Sequence, residues 1–363
     1  MKTWDVVIAG AGIVGVSLAR ELRKHGASVL LVERGEPGRE ASHAAGGMLA
    51  WCDPMLPHPL RGLAKASAGM YPEFTQEIED QSGSRVNLRI EGTIACFPEP
   101  PSGDAASYIT SGDWRPLGAD ELARLEPRLE YSDEAAYWTP EGSVDPRALI
   151  GASVKAAKHR GVDIASGSTV TAVEIENGRA VAVRTAKTRY AAGKIVNCCG
   201  AWAGQVPPFA FPTRPVKGQM LCVVDRHGLV NHVVRAPGVY VVPRSDGRIL
   251  IGSTLEDAGF DKRVDPETIQ RLHQAAAGLV PELGESRMLE TWAGLRPGTP
   301  DSLPLLGVTE VANYFVAAGH YRDGILLAPL TALVMAQALR GLHPDFDLSP
   351  FSPARFGTGT AGQ

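Results

Sequence analysis

Near the amino end a short apolar run, Val6-Val7-Ile8, ends in Gly10-x-Gly12-x-x-Gly15. Helical spacing starts at once with Val14, Leu18 and Leu22, Gly26 closes that helix, and Val29 to Val32 form a second apolar run ended by Glu33. Few folds accommodate this order: strand, glycine turn, helix and strand in register make a βαβ unit. Gly10 permits the tight turn, Gly12 lets a pyrophosphate reach the backbone, and Gly15 lets helix lie close on strand. The N–H groups of the first turn, Ile13 and Val14 among them, have no partners within the helix and favour negative charge. Glu33 is placed to accept from ribose hydroxyls and disfavours a 2′-phosphate. A dinucleotide site is the expectation.

The 363 residues can bury one large core or two modest ones. With 36 basic against 40 acidic residues and a net charge of −4, there is no basic surplus for nucleic acid. The five cysteines show no CxxC or Cys/His spacing, so no metal site is expected and a reducing cytoplasm is the simplest location. Met1 to Asp5 run straight into the first strand, so no cleaved leader is expected. The longest apolar stretch, Ile325 to Leu339, holds Pro329, Thr331 and Gln337 and is short of the roughly 20 residues that cross a bilayer.

After Glu33 and Arg34, small residues dominate from Ala41 to Gly47 (Ala41-Ser42-His43-Ala44-Ala45-Gly46-Gly47), followed by Met48. Such a backbone either continues along the cofactor or merely connects elements. The apolar spacing predicts one amphipathic helix over 60–82, a strand over 89–97, a short helix over 121–126 and a helix from Pro146 to Lys158 capped by Asp145. Val170 to Arg184 alternates around Asn177-Gly178, a type I′ hairpin signal, and the Val173 backbone is placed to meet an adenine, with an ordinary hairpin as the alternative. A buried strand from Lys194 enters a small-residue turn holding Gly200 and Trp202. Strands at 215–224, 238–244 and 248–254, with a helix over 266–279, suit a substrate domain. A strand from Tyr314, a loop through His320 and a closing helix over 325–341 return to the first domain.

The expected class is therefore α/β: a Rossmann-type domain (1–85, 143–212, 293–350) interleaved with an α+β, antiparallel-sheet domain (86–142, 213–292). A Gly-, Ser- and Thr-rich tail over 351–363 is expected to be disordered.

Several longer motifs carry a family likeness: Ala41-Ser42-x-Ala44-Ala45-Gly46-Gly47-Met48-Leu49, Pro215-Val-Lys-Gly218, Tyr240-x-Val-Pro-Arg244, Trp292-Ala-Gly-Leu-Arg296-Pro-Gly-Thr299 and Gly319-His-Tyr-Arg-Asp-Gly-Ile-Leu-Leu-Ala-Pro329. Over nearly its full length the chain resembles the glycine oxidase and D-amino-acid oxidase group of flavoproteins, glycine oxidase most. The resemblance implies FAD, with Arg34, Ala41, Ser42, Ala45, Gly46, Gly47, Met48, Gly200, Trp202, His320, Arg322, Asp323, Gly324, Ile325 and Leu326 joining the fingerprint along it. It also implies oxidation of a small amino acid, with Arg296 and Tyr240 on the carboxylate and Arg322 nearby. A bidentate guanidinium suits that task, although Arg296 pairing with Glu290 and Tyr240 as a plain strand aromatic are alternatives.

There is a single dinucleotide fingerprint, so electrons are expected from an organic substrate rather than NAD(P)H. No cysteine follows Cys222, so the thioether of related sarcosine oxidases has no counterpart in the C-terminal half, and noncovalent FAD is expected. Oxygen is the expected acceptor. A dehydrogenase serving a quinone or partner subunit, and a non-catalytic flavin subunit, remain alternatives. Relatives are commonly homo-oligomers. Trp51, directly after the Met48 motif, departs from the family pattern and is expected to narrow or reshape the substrate pocket.

Overall fold

The computed structural model describes residues 2–103, 106–131, 135–225 and 228–357. The chain opens with β1 (Thr3–Ala9), α1 (Ile13–Lys24), β2 (Val29–Val32), α2 (Ala41–Ala44) and β3 (Met48–Leu49). Then come α3 (Arg61–Gly69), α4 (Tyr71–Ser82), β4 (Thr93–Phe97), α5 (Ala106–Thr110), β5 (Arg115–Pro116) and α6 (Ala119–Leu125). β6 (Ala135–Thr139), β7 (Gly142–Ser143), α7 (Pro146–His159), β8 (Asp163–Ala165), β9 (Val170–Glu176), β10 (Arg179–Thr185) and β11 (Arg189–Asn197) follow. The rest comprises β12 (Arg214–Val224), β13 (Val233–Ala236), β14 (Val239–Pro243), β15 (Arg248–Gly252), α8 (Pro266–Leu279), β16 (Arg287–Gly298), β17 (Leu305–Val308), β18 (Tyr314–Ala318) and α9 (Gly324–Leu339).

The first sheet runs β17-β18-β11-β1-β2-β8, with the β9–β10 hairpin attached to β11. Its central pairs are parallel, as the opening βαβ unit requires. The second sheet runs β16-β12-β15-β14-β13-β4-β6-β5 and is antiparallel except where β13 meets β4. The fold is thus α/β with a mixed cofactor-side sheet and a mainly antiparallel second sheet.

Local chemistry sets the element ends. Asp145 caps α7 by accepting from the N–H groups of Arg147 and Ala148, and Asp265 caps α8 through Thr268. Asn177 and Gly178 both have positive φ, 49° and 76°, as a type I′ turn demands. The apolar stripe over 60–82 is broken at Met70, where Pro72 starts a second helix rather than continuing the first. The strand expected over 89–97 begins only at Thr93, because Gly92 sits at φ +106°.

The closing helix α9 is apolar all round and buried. Pro329 lacks the N–H that the Ile325 carbonyl would accept; the Tyr71 hydroxyl donates to that carbonyl instead. Ser67 Oγ donates to the Leu326 carbonyl at 2.7 Å and accepts from Leu330 N–H at 3.3 Å. Two hydroxyls from α3 and α4 thereby repair the helix whose N-terminus faces the site.

The tail expectation needs correction. Residues 349–356 form two short 3₁₀ turns, Phe351 is buried, and Arg355 pairs with Asp301. An aromatic anchor and an ion pair outweigh the polar composition around them; residues 358–363 lie outside the described residues. Among the described residues no helix is long and apolar enough to cross a membrane.

Candidate active site

A cavity of about 1000 Å³ runs from the glycine turn after β1 to the inner face of the second sheet. At its nucleotide end the three glycines differ in what surrounds them. A Cβ on Gly10, which has φ +100°, would lie 2.4 Å from the Cys198 carbonyl oxygen, and one on Gly15 would lie 2.1 Å from the Gly10 oxygen. One on Gly12 would meet only Ser42 Oγ, at 3.3 Å. Gly10 and Gly15 therefore serve chain packing, whereas Gly12 keeps space open towards the cavity. Ile13 N–H is taken by Ser42 Oγ at 2.9 Å, while the N–H groups of Gly12 and Val14 have no acceptor among the described residues. Glu33 accepts from Ala11 N–H at 2.9 Å and Gly35 N–H at 3.1 Å, so it buttresses the turn while lining the cavity.

Arg34 stacks on the Trp202 ring at 3.5 Å, and both line this end with Gly200. Ala41, Ser42, Ala45, Gly46, Gly47 and Met48 line the middle. His320, Arg322, Asp323, Gly324 and Ile325 bring the N-terminus of α9 to the cavity. Two expected contacts fall outside it. Val173 is packed in the core beside the hairpin and its N–H donates to the Pro207 carbonyl, so Thr169 to Thr171 line the cavity instead. Leu326 is wholly within the helical core. An elongated cavity, an open glycine, free helix-start amides and an acid at the strand end together fit FAD.

The other end belongs to the second sheet. Cross-strand register places Tyr240 opposite Gly252 and Arg296 opposite Val216. Arg296 Nη1 donates to the Thr254 carbonyl at 3.0 Å and Nη2 to Ser253 Oγ at 2.6 Å. It forms no ion pair among the described residues, because Glu290 is held by Arg147. A guanidinium in a cavity, hydrogen-bonded only to neutral oxygens, retains its charge for an anion. The Tyr240 hydroxyl lies over Gly252, where a Cβ would approach it to 2.6 Å, and 3.5 Å from Met220 Sδ.

Arg322 is exposed at the cavity mouth, with long contacts to Met55 and its guanidinium 5.7 Å from the Tyr321 ring. His320 is buried and bonded to Thr331 Oγ1 at 3.2 Å; burial lowers its pKa to about 4 and keeps it neutral. Asp323 is raised to about 7, first by removal from water and then by Asp53, against the pull of Arg322. Trp51 does not narrow this pocket. Its ring is buried in the helical core, its Nε1 donates to the Pro140 carbonyl, and Asp53 to Met55 line the cavity in its place.

Sequence reading missed several residues here. Asp53 and Arg235 form a cavity-lining ion pair at 3.0 Å, and Arg235 also meets buried Glu141 at 2.7 Å. Ser253, Gly218 and Gly252 reach the site only through strand register, which no local motif reveals.

The chain is 34% identical to a glycine oxidase of Pseudomonas aeruginosa, covering 96% of this chain and 98% of that protein. It is also 35% identical, over 99% of its length, to the bifunctional protein ThiO/ThiG of Synechocystis sp., of which it spans only 55%. Superposition on the crystal structure of glycine oxidase from Geobacillus kaustophilus gives a TM-score of 0.92 at 32% identity, covering 98% of this chain and 99% of that one. Residues 5–338 match the model of the DAO family, described as FAD dependent oxidoreductase, and the chain belongs to that family.

Proposed function

We propose that the protein is an FAD-dependent oxidase of glycine or another small amino acid, N-methylated, D- and cyclic ones included, with FAD held noncovalently and O2 as acceptor. The observation that carries this reading is Arg296: a cation inside the cavity whose hydrogen-bond partners among the described residues are the Thr254 and Ser253 oxygens alone. Its planar fork suits an amino-acid carboxylate, and the neighbouring Tyr240 hydroxyl supplies a further donor.

FAD, held by the Gly10–Gly15 turn, Glu33 and the Ala41–Met48 segment, would supply a two-electron acceptor for the substrate's Cα hydrogen, and O2 would be the final acceptor, leaving as H2O2. The chain's own work is positioning. Arg296 and Tyr240 anchor the carboxylate, which leaves Cα directed away from the second sheet and towards the Gly46–Met48 segment. Neutral, buried His320 orders the loop before α9 and carries no proton to the substrate. Loss of hydride from an uncharged amine leaves an iminium ion, which gives the imine on losing its N–H proton or is hydrolysed by water to an oxo acid and ammonium or a primary ammonium.

Anaerobic addition of glycine, sarcosine, D-alanine, D-proline and a wider amino-acid panel to the FAD-loaded protein tests the proposal. Bleaching of the flavin, followed by peroxide release on admitting oxygen, is expected. A flavin that no amino acid bleaches would overturn it.

A further inference from the structure

The Tyr240-x-Val-Pro-Arg244 motif holds a second polar residue that substrate binding leaves unused. Arg244 follows β14, is only 5% exposed, and reaches across to the cofactor-side domain. Its Nη2 donates to the Gly46 carbonyl at 2.6 Å and its Nη1 to the Val144 carbonyl at 3.0 Å. These two carbonyls belong to segments that already interlock: Val144 N–H donates to the Gly47 carbonyl, and β3 pairs with β7 through Met48 and Ser143. A Cβ on Gly47 would lie 2.0 Å from the Val144 oxygen, so the two backbones are in direct contact there. Burial pulls the Arg244 pKa down to about 10, which leaves it a cation, with Asp145 nearby favouring the charge.

Tyr240 lies close to the α-carbon of the same residue. A Cβ on Gly46 would sit 3.2 Å from the Tyr240 hydroxyl oxygen. Tyr240 and Arg244 stand four residues apart, on one face of the strand line, and between them they hold the α-carbon and carbonyl of one residue. Trp292 Nε1 adds a third tie by donating to the Ala44 carbonyl at 3.1 Å.

We infer that Arg244 is a positioning residue that sets the distance between the substrate anchor Tyr240 and the cofactor-flanking segment Gly46–Met48. The inference rests on the function proposed above for the site. A guanidinium is suited to the task because two donors in one rigid plane fix two carbonyls at once, whereas lysine offers a point charge to one.

The test compares FAD-loaded wild type with Arg244→Met, Arg244→Lys and Gly46→Ala, the last of which puts a methyl against Tyr240. Per bound flavin, the limiting rate of anaerobic bleaching should fall ~10- to 100-fold in Arg244→Met and Gly46→Ala, and less in Arg244→Lys. In Arg244→Met the substrate Kd should change by less than ~3-fold, and in Arg244→Met and Gly46→Ala the visible circular dichroism of the bound flavin should change without substrate. Arg248→Gln removes a neighbouring ion pair to Asp145 at 2.6 Å without touching Gly46, and should leave both readouts alone. Limiting rates and dichroism equal to wild type in Arg244→Met, or in Gly46→Ala if Arg244→Met does not fold, would overturn the inference. If no amino acid bleaches wild type, the proposed function fails, and flavin dichroism still decides whether Arg244 holds the segment.

Discussion

The Arg296 guanidinium lies directly over the α-carbon of Gly218: a Cβ there would stand 2.2 Å from Nη1 and 2.6 Å from Cζ. β12 gives way to the proposed substrate anchor by carrying no side chain at that point. Gly218→Ala should fold, because the obstructed atoms are the far end of a flexible side chain. The displaced guanidinium should raise the amino-acid KM by ~10-fold while FAD affinity stays constant, as steady-state kinetics and flavin titration would show.

Removing the anchor is the stronger version. Arg296→Ala should cost about 2 kcal/mol in kcat/KM, ~30-fold, by leaving a carboxylate without its charged partner. Arg296→Lys should recover part of this, since one ammonium replaces a two-pronged fork. Unchanged kcat/KM in Arg296→Ala would remove the residue from the site.

The glycines of the fingerprint separate fold from cofactor. Gly15→Ala drives a Cβ to 2.1 Å from a backbone oxygen, so the apo-protein should lose ~2 kcal/mol of stability. Gly12 has φ −73° and only Ser42 Oγ within reach, so Gly12→Ala should leave the apo Tm unchanged. The same methyl projects where the pyrophosphate approaches, and FAD Kd should rise by at least ~10-fold. Thermal melts of apo-protein beside FAD titrations distinguish the two outcomes.

What was legible in the sequence follows from how local each device is. The glycine turn, the Asp145 and Asp265 caps and the Asn177-Gly178 turn act within a few residues, so residue type and spacing reveal them. Arg296 stands out in the sequence as a candidate carboxylate anchor, but Gly218, Gly252 and Ser253 become its neighbours, or those of Tyr240, only when β12, β14, β15 and β16 take their register. Trp51 was misread for a related reason: it leaves the two-residue strand β3 through a turn, and period cannot assign its face. The 60–82 stripe stays apolar across the break at Met70, because both helices bury the same side against the core. Phe351 shows the reverse, a single anchor hidden in a polar tail.

The loop before α9 carries two titrating groups shifted in opposite directions, and their effects on stability oppose each other. His320 is lowered from 6.5 to about 4 by burial, so its contribution is fully present above pH 6.5 and is lost as pH falls towards 4. Asp323 is raised from 3.8 to about 7, so the native state holds its proton where the unfolded chain has released it. Its contribution is present below about pH 4 and is lost as pH rises to 7. Between pH 4 and 6.5 one slope cancels the other. Asp323→Asn should expose the histidine slope, so that the variant loses about 1.5 kcal/mol relative to wild type as the apo-protein is acidified across that interval. Above pH 7 the variant should be the more stable by about 2 kcal/mol, roughly half the full shift because the carboxyl borders the cavity. His320→Gln should show the opposite trend against wild type, gaining stability on acidification. Urea melts of the three apo-proteins at half-unit pH steps check this, and parallel curves for wild type and Asp323→Asn would show that Asp323 titrates alike in both states.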